Sequence, residues 1–170
     1  MIIDLANVGI TAREIELVFN PSEIDLEGEM VTLTGSAVLS GEIQRVNEKA
    51  FARGIVTTDI SLNCTRCLEL VAQHLNIPFT VIFVNPGDED VNPEAELGDE
   101  KLDESPLDDG KIDLAELVRE QILLAVPEQI FCTEECKGLC AKCGASLNLI
   151  DCRCADDEID PRWAALKNLQ

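Results

Sequence analysis

Eight of the 170 residues are cysteines, in the runs Cys64-Thr65-Arg66-Cys67, then Cys132, Cys136, Cys140 and Cys143, then Cys152-Arg153-Cys154. A two-residue gap lets a tight turn aim two sulfurs at one tetrahedral ion, at about 2.3 Å for zinc. Eight thiols fill two four-sulfur sites. The expected partition puts Cys140, Cys143, Cys152 and Cys154 in one local site, and Cys64, Cys67, Cys132 and Cys136 in a second that clamps two segments remote in sequence. Such a clamp adds metal-binding free energy to folding, because the ligands converge only in the folded chain. In Cys140-Ala141-Lys142-Cys143-Gly144 the glycine can take a positive φ and turn backbone N–H groups toward the sulfurs, the pattern of a zinc knuckle. The expected cofactor is structural zinc, one or two ions, although an all-thiolate site also accepts iron. One alternative stays open, in which Cys64 and Cys67 are buried free thiols and a single ion is bound.

Other chemistries fit these residues less well. Cys136, Cys140 and Cys143 have the three-cysteine spacing that radical enzymes use for an iron–sulfur cluster. The chain lacks the length and the alternating strands and helices of their barrel. A thiol-redox enzyme could use Cys64 and Cys67, with Arg66 lowering a thiol pKa. That pair would open a helix after a strand, whereas here it precedes a strand. There is no phosphate loop, G-x-G-x-x-G, nucleophile elbow or H-E-x-x-H. His74, the single histidine, falls on the polar parity of its strand beside Asn76 and is expected to be an exposed strand residue. Closed four-sulfur zinc sites leave no position for water or substrate. The expectation is a protein that is not an enzyme and has no catalytic residues.

The elements that must hold the cysteines follow from periodicity. Residues 1–84 read as a β-rich domain, with short apolar runs punctuated by Gly, Asn and Pro. The clearest strand is Val71 to Val84, where Val71, Leu75, Ile77, Phe79, Val81 and Phe83 share one parity and His74, Asn76 and Thr80 the other. Met30 to Leu39 and Ala52 to Leu62 are further strands, with turns expected at Gly41 and Asn47. Residues 85–111 carry eleven acids against Lys101 before Lys111 and read as an acidic flexible loop. Residues 112–170 hold a helix and the cysteine-rich segment, packed on the β-domain. The helix runs from Asp113 to about Ala125, with Leu114, Leu117, Val118, Ile122 and Ala125 on one stripe that Leu123 and Leu124 widen. Asp113 and Glu116 suggest a capping box and Pro127 a stop. Asp160-Pro161-Arg162 opens a last turn carrying Trp163, Leu166 and Leu169. The fold class is therefore α+β: an antiparallel β-sheet or partly open β-barrel, one packed amphipathic helix and a cysteine-rich zinc-knuckle C-terminal segment.

Charge narrows the partners. Lys plus Arg number 13 against 33 Asp plus Glu, a formal net charge of −20. That is the wrong sign for gripping phosphate backbones, so direct RNA contact is expected to be weak. It favours basic partners and repels anionic membranes. At 46% hydrophobic residues the chain is not disordered as a whole. Met1-Ile2-Ile3-Asp4 has an acid where a signal peptide has a basic region, so a soluble, cytoplasmic protein without membrane contact is expected.

Several motifs in order resemble one family. They are Cys64-Thr65-Arg66-Cys67-Leu68-Glu69, Ile112-Asp113-Leu114 through Leu117-Val118-x-Glu120, Leu123-x-x-x-Pro127, Cys136-Lys137-Gly138-Leu139-Cys140-x-x-Cys143-Gly144 with Leu147-Asn148, and Asp160-Pro161-Arg162-Trp163-x-x-Leu166. From about residue 30 to the end the chain resembles the YceD family, the large ribosomal RNA subunit accumulation proteins. The resemblance implies a role in building or maintaining the large ribosomal subunit, and no known chemical activity. It also implies metal sites that are structural, because family members differ in the later cysteines. Together with the charge it points to a basic ribosomal protein or ribosome-assembly factor as partner. The alternatives are a zinc-knuckle RNA-binding protein, with Lys137, Lys142 and Arg153 as its basic cluster, and the thiol-redox enzyme.

Overall fold

The computed structural model describes residues 1–26, 31–47, 49–85, 104–107 and 109–154. Its elements are β1 (Ile2–Asp4), β2 (Arg13–Phe19), β3 (Val31–Leu33), β4 (Ala37–Val46), β5 (Lys49–Asn63), β6 (Leu70–Val84), β7 (Glu104–Pro106), β8 (Lys111–Asp113) and α1 (Leu114–Ala125). The main sheet runs β2-β4-β5-β6-β7, with β3 also beside β5, and β1 pairs with β8 in a separate ribbon. Among the described residues β2 and β7 end this path without pairing to each other, so the sheet is open and is not a closed barrel. All pairings are antiparallel except β6 with β7, which is parallel and departs from the expected antiparallel sheet.

The hairpin of β5 and β6 dominates, each strand being 15 residues long. Alternation sets its two faces. On β6, Leu75, Phe79 and Phe83 are buried and Val71, Ile77 and Val81 half-buried, whereas His74, Asn76 and Thr80 are exposed. The His74 ring meets Asp59, its partner across the pair, at 2.7 Å. Helix α1 lays Leu114, Leu117, Val118 and Ile122 into the core shared with the sheet. Asp113 caps it, Oδ1 accepting from the Ala115 N–H at 2.9 Å. Glu116 turns to Arg119 instead, accepting from Nη1 at 3.1 Å. Leu123 packs against the core, but Leu124 is 80% exposed and does not widen the packed face.

Of the two expected turns the structure has the one at Asn47 and not the one at Gly41. Gly41 is not a turn; it lies within β4, directly opposite Gly54. A Cβ on Gly41 would lie 2.3 Å from the Arg53 carbonyl oxygen, and one on Gly54 2.3 Å from that of Ser40. Glycine here serves close backbone approach between strands. The reversal is at Asn47, at φ 58°, a conformation asparagine tolerates. The strand expected from Met30 to Leu39 is two, β3 and β4, which meet successive stretches of β5 at Leu33↔Ile60 and Val38↔Thr57. Within the stretch read as an acidic loop, Glu104–Pro106 forms β7 along the end of β6. Most of that stretch, and the turn around Trp163, lie outside the described residues.

Candidate metal centres

Cys64 to Glu69 form the loop that joins β5 to β6. The Cys64 N–H donates to the Glu69 carbonyl at 2.8 Å and the Leu68 N–H to the Cys64 carbonyl at 2.9 Å. The turn after β8 and α1 repeats this pattern: the Cys140 N–H donates to the Ala145 carbonyl at 2.8 Å and the Gly144 N–H to the Cys140 carbonyl at 2.8 Å. Gly144 takes φ 70°, as its place after the cysteine predicts, and Leu68 takes φ 62° at the matching position. The two Cys-x2-Cys turns are one backbone shape, built once with leucine and once with glycine. Aligning the two motifs in the sequence would have revealed the left-handed Leu68.

These turns help to gather the eight sulfurs into two groups, Cys64, Cys67, Cys132 and Cys136, and Cys140, Cys143, Cys152 and Cys154. They are the two fours that the spacing anticipates. Within each group the sulfurs lie within 4.8 Å of one another. Contacts are 3.8 Å for Cys64 with Cys136 and 3.5 Å for Cys67 with Cys132, and 3.4 Å for Cys152 with both Cys143 and Cys140. None of the eight is in a disulfide. A tetrahedral ion with bonds of about 2.3 Å sets its sulfurs about 3.8 Å apart, so both groups could hold a metal ion. They differ in setting: Cys64, Cys67 and Cys136 are buried beneath Val71, Phe131 and Leu139, whereas Cys143 is exposed.

Protonation shows how each group handles charge. Burial raises the Cys64 thiol, but N–H groups of Cys67, Arg66 and Cys132 outweigh it and bring the pKa to about 6. The N–H groups of Cys143 and Lys142, with neighbouring thiols, likewise lower Cys140 to about 6. Other thiols hold their protons. The Glu69 N–H lowers Cys67, yet burial and its three sulfur neighbours take it to about 12. Cys154 reaches about 12 through Cys152, Cys143 and burial. Cys136 is lowered as well, first by the Asn148 amide, so the first group lowers two thiols and raises Cys67 and Cys132; ionising a whole group needs a cation to offset the charge.

The first group is braced by contacts that the sequence did not reveal. Both the N–H and the hydroxyl of Thr65 donate to the Ile130 carbonyl, at 2.9 and 3.0 Å. Arg66 donates from Nη1 to the Cys136 carbonyl at 2.9 Å, with its guanidinium 4.1 Å from the Phe131 ring centroid. This cation–π stack fixes the loop against the later segment. Gly138, at φ 77°, lets the chain pass Arg66, whose carbonyl would lie 3.0 Å from an added Cβ. Asn148 donates from Nδ2 to Cys136 Sγ at 3.3 Å, and Oδ1 accepts from the Lys137 N–H at 2.8 Å.

Among the described residues, an open β-sheet under one α-helix, with two four-cysteine groups at one hairpin loop and the segment after the helix, defines the class of protein. A family model described as "Large ribosomal RNA subunit accumulation protein YceD" matches residues 52–170, and the chain belongs to that family. It is 28% identical over 151 residues to an uncharacterized protein of Mycobacterium leprae, covering 88% of this chain and 67% of the relative. It is 27% identical over 153 residues to the Arabidopsis thaliana chloroplastic large ribosomal RNA subunit accumulation protein YCED homolog 1, covering 78% of this chain and 48% of that protein. YlbN of Bacillus subtilis is 30% identical over 115 residues, 67% of this chain and 62% of YlbN. No solved structure matches the chain significantly. Among the described residues no helix is long and apolar enough to cross a membrane.

Proposed function

We propose that this protein is a non-enzymatic cytoplasmic factor that supports accumulation of large-subunit ribosomal RNA by binding a basic ribosomal protein or assembly factor. The family match over residues 52–170 carries the reading. The net charge of −20 supports the choice of a basic partner, because an acidic surface attracts one and can delay its contact with RNA. Both cysteine groups bind zinc in a structural role, the second as a zinc knuckle. Four sulfurs close each coordination sphere and leave no place for substrate, which supports a role without catalysis.

The test is to tag the protein at its native level and isolate it at low salt with and without nuclease. A basic ribosomal protein or assembly factor is expected to remain after nuclease, and to be lost as salt rises from about 0.05 to 0.5 M. Loss of every partner on nuclease treatment would mean that RNA holds the complex. A charge-reversal variant of Lys137, Lys142 and Arg153, titrated with ribosomal RNA fragments, then locates that contact.

A further inference from the structure

We propose that the two cysteine groups form one coupled metal unit, linked through Asn148. The inference rests on reading both groups as metal sites. Asn148 belongs to the stretch between Cys143 and Cys152, whose sulfurs are 3.4 Å apart in the second group. A metal there closes the stretch into a small loop. The Asn148 side chain nevertheless serves the first group, with Nδ2 3.3 Å from Cys136 Sγ and Oδ1 2.8 Å from the Lys137 nitrogen. A backbone N–H can only donate, so the atom facing Lys137 is the oxygen and the amide must present its N–H to the sulfur. The same loop lies against the segment between Cys136 and Cys140 through the Leu147 N–H to Gly138 carbonyl bond of 2.9 Å and the Leu139–Ser146 bridge.

An N–H directed at a thiolate favours its metal-binding form and fixes the sulfur's position. Emptying the second group frees the loop that delivers this donor, and the first group then holds its ion less well. The dependence is reciprocal, as coupling between two binding sites must be. Exposure gives it an order: Cys143 is exposed while Cys64, Cys67 and Cys136 are buried. The outer ion leaves first and its departure loosens the inner one.

The experiment follows exchange of bound zinc for an added zinc isotope in the full-length, zinc-loaded protein, by native mass spectrometry, at a buffered free-zinc level that keeps both groups loaded. Two phases are expected, the faster from the second group. In the Cys152→Ser/Cys154→Ser chain the remaining ion is expected to leave on the order of 10- to 100-fold faster than the wild-type slow phase. Asn148→Asp keeps the acceptor for Lys137 but sets an oxygen against the sulfur. It is expected to accelerate the slow phase by a similar factor, to accelerate the fast phase too because the coupling is reciprocal, and to add little when combined with the cysteine pair. Wild-type protein held at a lower free-zinc level that leaves only the second group empty makes the same comparison without mutation, and its remaining ion should also leave faster than the slow phase of the fully loaded chain. Slow release indistinguishable from wild type in all three preparations would overturn the coupling. Two ions leaving independently overturn the coupling alone, whereas a wild-type chain that takes up fewer than two ions overturns the metal reading with it.

Discussion

Leu68 and Gly144 occupy the same left-handed position in two copies of one turn, and the copies respond to substitution in opposite directions. A residue with a Cβ at such a φ is strained by about 1–2 kcal/mol. Leu68 is 61% exposed, so its side chain contributes little packing against that strain. Leu68→Gly is expected to raise the urea midpoint of the metal-loaded protein, by up to about 1 kcal/mol of stability. Gly144→Ala meets no atom within 4 Å, so it should lower stability by the backbone strain alone, about 1–2 kcal/mol. A second residue-level prediction concerns Glu120. Burial first, and then the charge of Glu116, raise its pKa, with Arg119 opposing. A carboxyl with a higher pKa folded than unfolded destabilises the fold once ionised, so the penalty appears as pH rises through the folded value. Glu120→Gln should therefore melt higher than wild type at pH 7, with the difference gone below about pH 4.

At the scale of elements, periodicity was a good guide where one face of an element is dry. The limits of α1 and the parity of β6 were legible because each buries a single stripe, Leu114 to Ile122 in one case and Leu75 to Phe83 in the other. The two sulfur groups were legible because a two-residue gap has few geometric solutions. Gly41 was misread because glycine signals both reversal and close approach, and only its partner Gly54 tells which applies. β7 was missed because Glu104–Pro106 has no apolar alternation and exists only by pairing with the end of β6. Asn148 and Arg66 were not recognised as braces because their partners are a remote sulfur and a remote carbonyl. Gly41→Ala and Gly54→Ala should each force β4 and β5 apart. A loss of about 1–3 kcal/mol in thermal unfolding is expected for either, and the double substitution should cost less than the sum because the two share one contact.

For the molecule as a whole, the main hydrophobic core and the sulfur cluster are separate bodies of packing: Leu39, Ile43, Val56 and Ile60 with α1 in the first, Cys64, Cys67 and Cys136 in the second. Removing metal should accordingly act in part. A strong chelator is expected to lower the melting temperature and to speed amide exchange in 64–69 and 126–154, while the paired amides of β4, β5 and the middle of β6 stay protected. Hydrogen exchange read by mass spectrometry would show this, and uniform loss of protection would refute it. The pairing of β1 with β8, Ile2 opposite Asp113, has a consequence in time. During synthesis the first strand waits for a partner encoded far downstream, and the Cys64 loop waits for sulfurs up to 72 residues away in the chain. At about 5–20 residues per second, that interval lasts several seconds. The growing polypeptide thus leaves the ribosome with a bare strand and two uncommitted thiols, and translation itself sets when they are sealed.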